Sequence, residues 1–195
     1  MCSSDLVPGQ DIRLFMWNKR LAEPTAPAKA TVLLVHGSSV SSTPVYDLAV
    51  PGRDDASLMD WLARLGYDVW CFDCEGYGRS DKSRPVTADV AMGADDLEVV
   101  SEAILRLSGS QQLMVYGSSS GALRAALFAQ RQPQRVARLV NLEGFGMPAT
   151  HAAQAPTRMA QWLDELAQAR AGERGMRPYA DLDGVAQRQI GRAHV

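Results

Sequence analysis

The sequence predicts an α/β fold in which a mostly parallel central sheet is flanked by helices. Continuous aliphatic runs such as ATVLLV at residues 30–35 are typical of strands that are buried on both faces. Segments with apolar residues at helical spacing separate these runs, and this alternation favours parallel pairing through right-handed crossovers. With 195 residues, 46% of them hydrophobic, the chain is long enough for one sizeable core but hardly for two.

The elements are predicted individually from the same two patterns. Each strand is an apolar, β-branched run, and each helix is an apolar stripe at helical spacing. In chain order the sequence predicts an edge strand at residues 12–17, a buried strand at 30–35, a helix at 55–65, a strand at 68–72, a helix at 87–107, a strand at 113–116, a helix carrying Leu123, Leu127 and Phe128, a strand at 135–142 and, after a Pro- and Ala-rich linker, a helix at 157–169.

The helix at residues 87–107 is expected to be amphipathic. Its buried face would carry Leu97, Val100, Ile104 and Leu107, whereas Asp95, Asp96 and Glu98 would lie on the solvated side or in the first turns.

The composition excludes several classes of function. The net charge is −2, so nothing indicates a surface for nucleic acid or another polyanion. No apolar run reaches the length of a membrane span, and the start lacks the charged and apolar regions of a secretory signal. We therefore expect a cytoplasmic protein that binds neither nucleic acid nor membranes. Its oligomeric state is left open.

The three cysteines are too few for a disulfide framework. Cys71 and Cys74 have C-x-x-C spacing, but they lie in an apolar run that predicts a strand. An offset of three residues points their side chains to opposite faces of a sheet. A redox or zinc site is therefore not expected, and the sequence predicts no metal and no other cofactor.

Both ends of the chain match translated sequencing adapters. Residues 1–6, MCSSDL, are the translation of the adapter string GTGTGCTCTTCCGATCT when GTG is read as a start. Residues 190–195, IGRAHV, are the translation of the complementary string ATCGGAAGAGCACACGTC. We expect these segments to be artefacts, Cys2 and His194 included, and the natural sequence to be an internal fragment of about residues 7–189.

The segment LMVYGSSSGALRAALF at residues 113–128 predicts a strand, a tight turn and a helix. It fits the G-x-S-x-G nucleophile-elbow pattern, with Ser119 in the middle. Side chains at Gly117 and Gly121 would collide where the strand and the helix pack closest. The alternative is a Ser/Gly turn that only caps a helix.

Three motifs in this order resemble those of the α/β-hydrolase superfamily: LLVHGSS at residues 33–39, FDCEGYGRSD at 72–81 and YGSSSGA at 116–122. The resemblance covers about residues 30–146. It implies an α/β-hydrolase fold that is incomplete here, with a core over residues 7–146 and the start of a helical cap over 147–189. In that cap, Trp162 and Leu166 would cover the pocket.

The resemblance also implies a role for each motif residue. Ser119 would be the nucleophile, and the oxyanion hole would be formed by the N–H groups of Ser120 and of Ser38 or Ser39. His36 would shape the loop together with Gly37 rather than act as the base.

The second motif departs from the family pattern D-x-R-G-x-G-x-S at one position. Glu75 stands where arginine is frequent, a reversal of charge that would alter the packing of the loop. Asp73 would anchor the turn through hydrogen bonds.

The rest of the catalytic triad is less well indicated. Glu143 follows a predicted strand, where some branches of the family place the triad acid. The alternative is a loop carboxylate hydrogen-bonded to nearby N–H groups. His151 lies too early in the chain for the base, and His194 belongs to the suspected adapter. We expect the histidine beyond the fragment and therefore expect the fragment to be inactive.

The resemblance implies a serine hydrolase that cleaves an ester, or less often an amide or carbon–carbon bond, of a small molecule through an acyl-enzyme on Ser119. Two alternatives remain: a non-catalytic module that uses the same pocket to bind a ligand, and an acyltransferase or perhydrolase of the same fold.

Overall fold

A computed structural model of the chain describes residues 3–6, 12–22, 26–53, 55–84, 89–144 and 152–171. The chain divides into two compact units, Met1–Gly146 and Met147–Val195. None of the helices in these described ranges is both long enough and apolar enough to cross a membrane.

The first unit contains a six-stranded sheet in the order β1-β2-β4-β3-β5-β6. The strands β4, β3, β5 and β6 are parallel, whereas β2 runs antiparallel to both β1 and β4. The predicted α/β class with a mostly parallel sheet is therefore confirmed. The strands are β1 (Ser3–Leu6), β2 (Arg13–Lys19), β3 (Thr31–Val35), β4 (Asp68–Phe72), β5 (Leu113–Ser118) and β6 (Val136–Leu142).

Helices connect and cover the parallel strands. The helices of the first unit are α1 (Ser42–Tyr46), α2 (Leu58–Arg64), α3 (Val90–Ser108) and α4 (Ser120–Arg131), with a 3₁₀ turn at Pro133–Arg135. Asp89 caps the amino end of α3 by accepting a hydrogen bond from the Met92 N–H, and Gly109 ends this helix in the left-handed conformation with φ 71°. Helix α1 is absent from the sequence prediction because five residues are too few to show a helical stripe.

The sheet separates two hydrophobic clusters. On one face α3 and α4 pack on Leu33, Val35 and Phe72, and on the other α1 and α2 pack on Val32, Leu34 and Cys71. Alternate residues of β3 enter opposite clusters, as the twofold repeat of a strand requires. Cys74 belongs to the first cluster and Cys71 to the second, and burial raises the pKa of each thiol to about 12. Both cysteines therefore behave as core residues.

The register of the parallel strands brings their carboxyl ends together. Val35 pairs with Phe72 of β4 on one side and with Gly117 of β5 on the other. In turn, Gly117 pairs with Asn141 of β6. The loops that follow β3, β4, β5 and β6 therefore emerge along one edge of the sheet, which is where ligands bind in open α/β sheets.

One expectation about strand pairing and one about burial are wrong. The strand predicted at residues 12–17 as an edge strand is β2. In this chain it is paired on both sides, and its outer partner Ser3–Leu6 belongs to the segment expected to be a translated adapter. Backbone hydrogen bonds on an open edge accept almost any extended segment, which a prediction from side chains cannot foresee. Leu107, expected on the buried face of α3, is 50% exposed because it lies in the last turn of the helix.

The second unit contains a 3₁₀ turn at Ala152–Gln154 and helix α5 (Ala155–Arg170), which confirms a helix in this part of the chain. Two of its apolar residues, Met159 and Leu163, are 57% and 51% exposed. The side chains of Trp162 and Leu166 lie outside what the structure describes, so their covering role stays a prediction.

Candidate active site

Ser119 occupies the turn between β5 and α4. Its backbone has φ 53° and ψ −129°, a conformation that residues with a side chain rarely adopt, and the residue is exposed. The Ser119 N–H donates to the Leu142 carbonyl of β6 at 2.9 Å, and the Ser119 carbonyl accepts from the Ala122 N–H at 3.0 Å. The backbone on both sides of the strained residue is therefore held by hydrogen bonds.

The two glycines of the elbow are required by close backbone packing. A Cβ at Gly117 would lie 2.6 Å from the Ala122 Cα, and one at Gly121 would lie 2.4 Å from both the Val35 and His36 carbonyl oxygens. Backbone atoms cannot swing aside as a flexible side chain can. Any larger residue at these positions would push α4 away from the sheet.

The loop after β3 lies directly against Ser119. A Cβ at Gly37 would come within 3.2 Å of the Ser119 Cβ and 3.6 Å of its Oγ. The hydroxyl oxygens of Ser38 and Ser120 are 2.8 Å apart and share a hydrogen bond. The structure therefore brings Ser38 against Ser119 and Ser120, which follow it by more than 80 positions in the sequence.

The Ser120 amide has a further feature that suits an anion. Ser120 is the first residue of α4, and the first N–H groups of a helix have no partner within it. The partial positive charge of the helix amino end adds to these donors.

The three non-glycine residues with positive φ in the described part of the chain all lie in loops at this edge. They are Ser39 after β3, with φ 73°, Ser119 after β5 and Glu143 after β6, with φ 60°. Strained residues of this kind persist only where the surrounding structure imposes them, and they concentrate at functional sites. The strain therefore marks the carboxyl edge of three neighbouring strands.

Glu143 is exposed in a turn that its neighbours hold in place. The Asn141 side chain accepts from the Gly144 N–H at 2.8 Å and donates to the Gly144 carbonyl at 3.0 Å. A Cβ at Gly144 would lie 2.1 Å from the Ala122 Cβ. Glu143 thus follows the strand that neighbours the one ending at Ser119. Its carboxylate forms no hydrogen bond with the described residues.

His36 is fully buried, and both of its ring nitrogens are engaged. Its Nε2 accepts from the Cys74 N–H at 3.0 Å, so the proton resides on Nδ1, which donates to the Gly37 carbonyl at 2.7 Å. Burial lowers the pKa of His36, which favours the neutral ring. These bonds join the loop after β3 to the end of β4.

Asp73 anchors the glycine-rich loop, as the sequence predicts. One carboxylate oxygen accepts from the N–H and the hydroxyl of Ser42 at 2.8 and 2.6 Å, and the other accepts from the Arg79 N–H at 2.9 Å. A Cβ at Gly78, where φ is 47°, would overlap this carboxylate. Asp73 therefore fixes the start of α1 relative to the loop after β4.

A buried charged cluster lies beneath the same loop. The Glu75 carboxylate is 1% exposed and pairs with both Arg84 nitrogens that reach it. The backbone N–H of Glu75 donates to the Asp96 carboxylate at 2.8 Å. Asp96, expected on the solvated side or in the first turns of its helix, is only 3% exposed, and burial raises its pKa to about 6. The solvated position is wrong, because the loop after β4 folds over the first turns of α3.

Arg124 of α4 is the largest fully buried side chain described in the chain. Its Nη1 donates to the His36 carbonyl at 3.3 Å, and its guanidinium lies 5.8 Å from the centre of the Tyr77 ring. Gly93 of α3 makes room for it, since a Cβ there would lie 2.3 Å from the Arg124 Cδ. The only sequence signal was an arginine within an otherwise apolar helical stripe, and it was missed.

His151 and His194 lie outside the described residues. Within the described ranges, no three His, Cys, Asp or Glu side chains converge in a way that would hold a metal ion.

Comparisons with known proteins agree with this arrangement. A protein-family model described as serine aminopeptidase, S33 matches residues 26–183. A curated 2-hydroxy-6-oxononadienedioate/2-hydroxy-6-oxononatrienedioate hydrolase from Paraburkholderia phymatum is 31% identical over 122 residues, which cover 62% of this chain and 38% of the relative. A protein of the same description from Klebsiella pneumoniae is 30% identical over 118 residues, 60% of this chain and 36% of that one. The chain thus spans less than two-fifths of the length of these curated relatives.

Solved structures share the fold at lower identity. An epoxide hydrolase from Vigna radiata superposes with a TM-score of 0.59 at 16% identity, covering 83% of this chain and 44% of that one. An esterase from Pyrococcus furiosus gives a TM-score of 0.58 at 18% identity, covering 83% and 60%.

Proposed function

Because the chain belongs to the serine aminopeptidase S33 family of α/β-hydrolases, we propose that it carries the nucleophile and the oxyanion hole of a serine hydrolase acting on a small molecule. The strained conformation of Ser119 carries this proposal. A φ of 53° at a serine exposed between a strand and a helix costs free energy. That cost is understandable where the hydroxyl must project from the backbone toward a substrate.

The proposed chemistry has two steps. The Ser119 Oγ attacks the acyl carbon while a base removes its proton, and that proton passes to the leaving alcohol as the acyl-enzyme forms. Water then attacks the acyl-enzyme with the same base, which releases the acid and restores the serine. The N–H groups of Ser120 and Ser38 hold the negative oxygen in each transition state, and the 2.8 Å contact between their side chains supports placing these two loops side by side.

The other roles are assigned from the same geometry. His36 shapes the loop and is not the base, since both of its nitrogens are already hydrogen-bonded. Glu143 is the candidate for the triad acid because it follows the strand next to the elbow and its carboxylate is exposed. The base is a histidine outside the described residues.

The bond that is cleaved is an ester in the simplest version of this proposal. The names of the curated relatives favour a second version, in which the scissile bond joins two carbons next to a ketone, as in a 2-hydroxy-6-oxo dienoate. Hydrolysis of a p-nitrophenyl ester and of 2-hydroxy-6-oxononadienedioate by the same preparation would separate the two versions.

The test uses the full-length product of the continuous gene. We expect a fluorophosphonate probe to label Ser119, and we expect Ser119→Ala to abolish labelling and to lower turnover by at least a thousandfold, since the nucleophile is removed. The variant should melt at the wild-type temperature because an alanine fits the same turn. The matched control is Ser83→Ala, which removes another exposed serine hydroxyl and should leave both readouts unchanged.

Other outcomes would select the alternatives. A folded full-length protein that binds small acyl compounds but ignores the probe would be a non-catalytic binding module. Labelling followed by transfer of the acyl group to an added alcohol or peroxide, in preference to water, would identify an acyltransferase or perhydrolase.

A further inference from the structure

The Tyr46 hydroxyl connects the ends of two strands. Tyr46 is the last residue of α1 and is 2% exposed. Its hydroxyl donates to the Val35 carbonyl at 2.7 Å and lies 3.0 Å from the Ser118 Oγ. Because its single hydrogen is given to Val35, the hydroxyl accepts the second bond from Ser118. Burial raises the pKa of Tyr46, so the hydroxyl keeps that hydrogen at neutral pH.

These bonds lie where regular pairing stops. The ladder between β3 and β5 ends at Val35 and Gly117. Beyond this pair, the first strand continues into the loop that contains Ser38, and the second continues through Ser118 into the elbow. The Tyr46 hydroxyl therefore joins the two segments at their point of divergence.

Tyr46 is itself held in position. The start of α1 is tied to Asp73 through the N–H and hydroxyl of Ser42. The Tyr46 ring packs edge-on against Tyr116, with ring centres 6.0 Å apart. Because Tyr46 is held through its helix and its ring, its hydroxyl has little freedom to move relative to the groups that it binds.

On the opposite face of the sheet, the two segments are joined through the backbone of the elbow and not through the Ser118 side chain. There, the Arg124 guanidinium donates to the His36 carbonyl, and Gly121 packs on the carbonyls of Val35 and His36. These contacts hold the end of β3 against α4. Among the described contacts, the link from β3 to the Ser118 side chain runs through Tyr46.

We propose that Tyr46 is a positioning residue of the active site, whose hydroxyl sets the distance between the loop that carries Ser38 and the elbow that carries Ser119 and Ser120. The inference rests on the proposed function, because it concerns the two N–H groups assigned to the oxyanion hole. Donors of this kind act only when they are correctly spaced around the oxygen, so a small displacement lowers the rate rather than substrate affinity.

The test is Tyr46→Phe in the full-length protein, which removes one oxygen and retains the ring. We expect kcat for a p-nitrophenyl ester and the rate of fluorophosphonate labelling at Ser119 to fall about tenfold. KM should be unchanged, and the melting temperature should fall by no more than a few degrees. The matched control is Tyr116→Phe, because the half-buried Tyr116 hydroxyl forms no hydrogen bond with the described residues; all four readouts should stay at the wild-type values.

A second variant tests the route through Ser118. We expect Ser118→Ala to lower kcat to a similar extent, and the double variant to be no slower than either single variant, since both remove the same link. If Tyr46→Phe does not fold, Ser118→Ala replaces it, and the same fall in kcat at an unchanged KM is expected.

The outcomes separate this inference from the proposed function. Labelling of the wild type with an unchanged kcat in Tyr46→Phe and Ser118→Ala would overturn the positioning role and leave the serine hydrolase intact. Additive losses in the double variant would overturn it as well. A wild-type protein that is not labelled and does not turn over would overturn both.

Discussion

The two strands on either side of β5 have similar apolar sequences but very different surroundings. All five residues of β3, TVLLV, are buried. In β6, VARLVNL, the side chains of Leu139, Val140 and Leu142 are 38%, 45% and 52% exposed. The first strand lies between two others with helices on both faces, whereas β6 pairs with β5 alone in the described part of the chain. An apolar run therefore shows that a strand can be buried, and its neighbours decide whether it is.

The loops after these two strands are nevertheless built alike. Each contains a residue with positive φ, Ser39 after β3 and Glu143 after β6. Each also packs a glycine against the elbow, Gly37 on Ser119 and Gly144 on Ala122. The geometry of the candidate site is therefore set by the parallel register and by close backbone packing, and it does not require both strands to be equally buried.

The difference in burial between β3 and β6 is tested most strongly by shortening a side chain of β3. Leu34 is fully buried, and Leu34→Ala is expected to lower the free energy of unfolding by about 3 kcal/mol, because it loses apolar contact and leaves a cavity. Urea denaturation followed by circular dichroism would measure it. A loss below about 1 kcal/mol would mean that the core around β3 is loosely packed.

A second prediction concerns the buried charged residues near the ends of β3 and β4. These are Glu75, Asp96 and Arg124. The pKa of Asp96 is about 6 in the folded chain and 3.8 in an ordinary environment, so the folded chain binds the proton more tightly. Stability contributed by this group is present below pH 4 and is lost as the pH rises to 6. Asp96→Asn should therefore stabilise the chain by up to about 3 kcal/mol above pH 6 and have no effect near pH 4.

Thermal melts across that pH range would measure the effect of Asp96→Asn. The exposed neighbour Asp95 offers the matched control, since Asp95→Asn makes the same substitution at a carboxylate that is 59% exposed and should change stability by less than about 0.5 kcal/mol. A loss of stability in Asp96→Asn above pH 6 would instead mean that the ionised carboxylate is needed to balance Arg124.

The smallest expected effect is on β6. Val140→Ala removes two methyl groups, but the side chain is already 45% exposed, and we expect a change of less than about 0.5 kcal/mol in this chain. The same urea titration as for Leu34→Ala would measure it. A loss as large as that of a β3 truncation would mean that this face of β6 is buried in solution, and the contrast between the strands would disappear.

The sequence predicted most of the fold because its signals are local. The strand at residues 68–72 has the predicted bounds, and α3 and β6 begin within three residues of theirs. The strand, turn and helix around Ser119 were also predicted, because glycines and serines between two apolar segments are a signal contained within a few residues. Helix α1 and the exposure of Leu107 were missed for local reasons, namely a short helix and a position in a last turn. The outer pairing of β2, the burial of Asp96 and the burial of Arg124 were missed because they depend on partners distant in sequence.

By itself, the sequence determined most of the strands and helices along the chain, the parallel class of the sheet and the position of the elbow, because backbone preferences and side-chain periodicity act over a few residues. Only the tertiary structure decided which apolar strand is buried, which charges lie in the interior and which loops meet Ser119. Those outcomes depend on the strand register and on contacts between segments far apart in the chain, such as Tyr46 with Ser118 and Arg124 with His36. No local pattern of residues encodes such contacts.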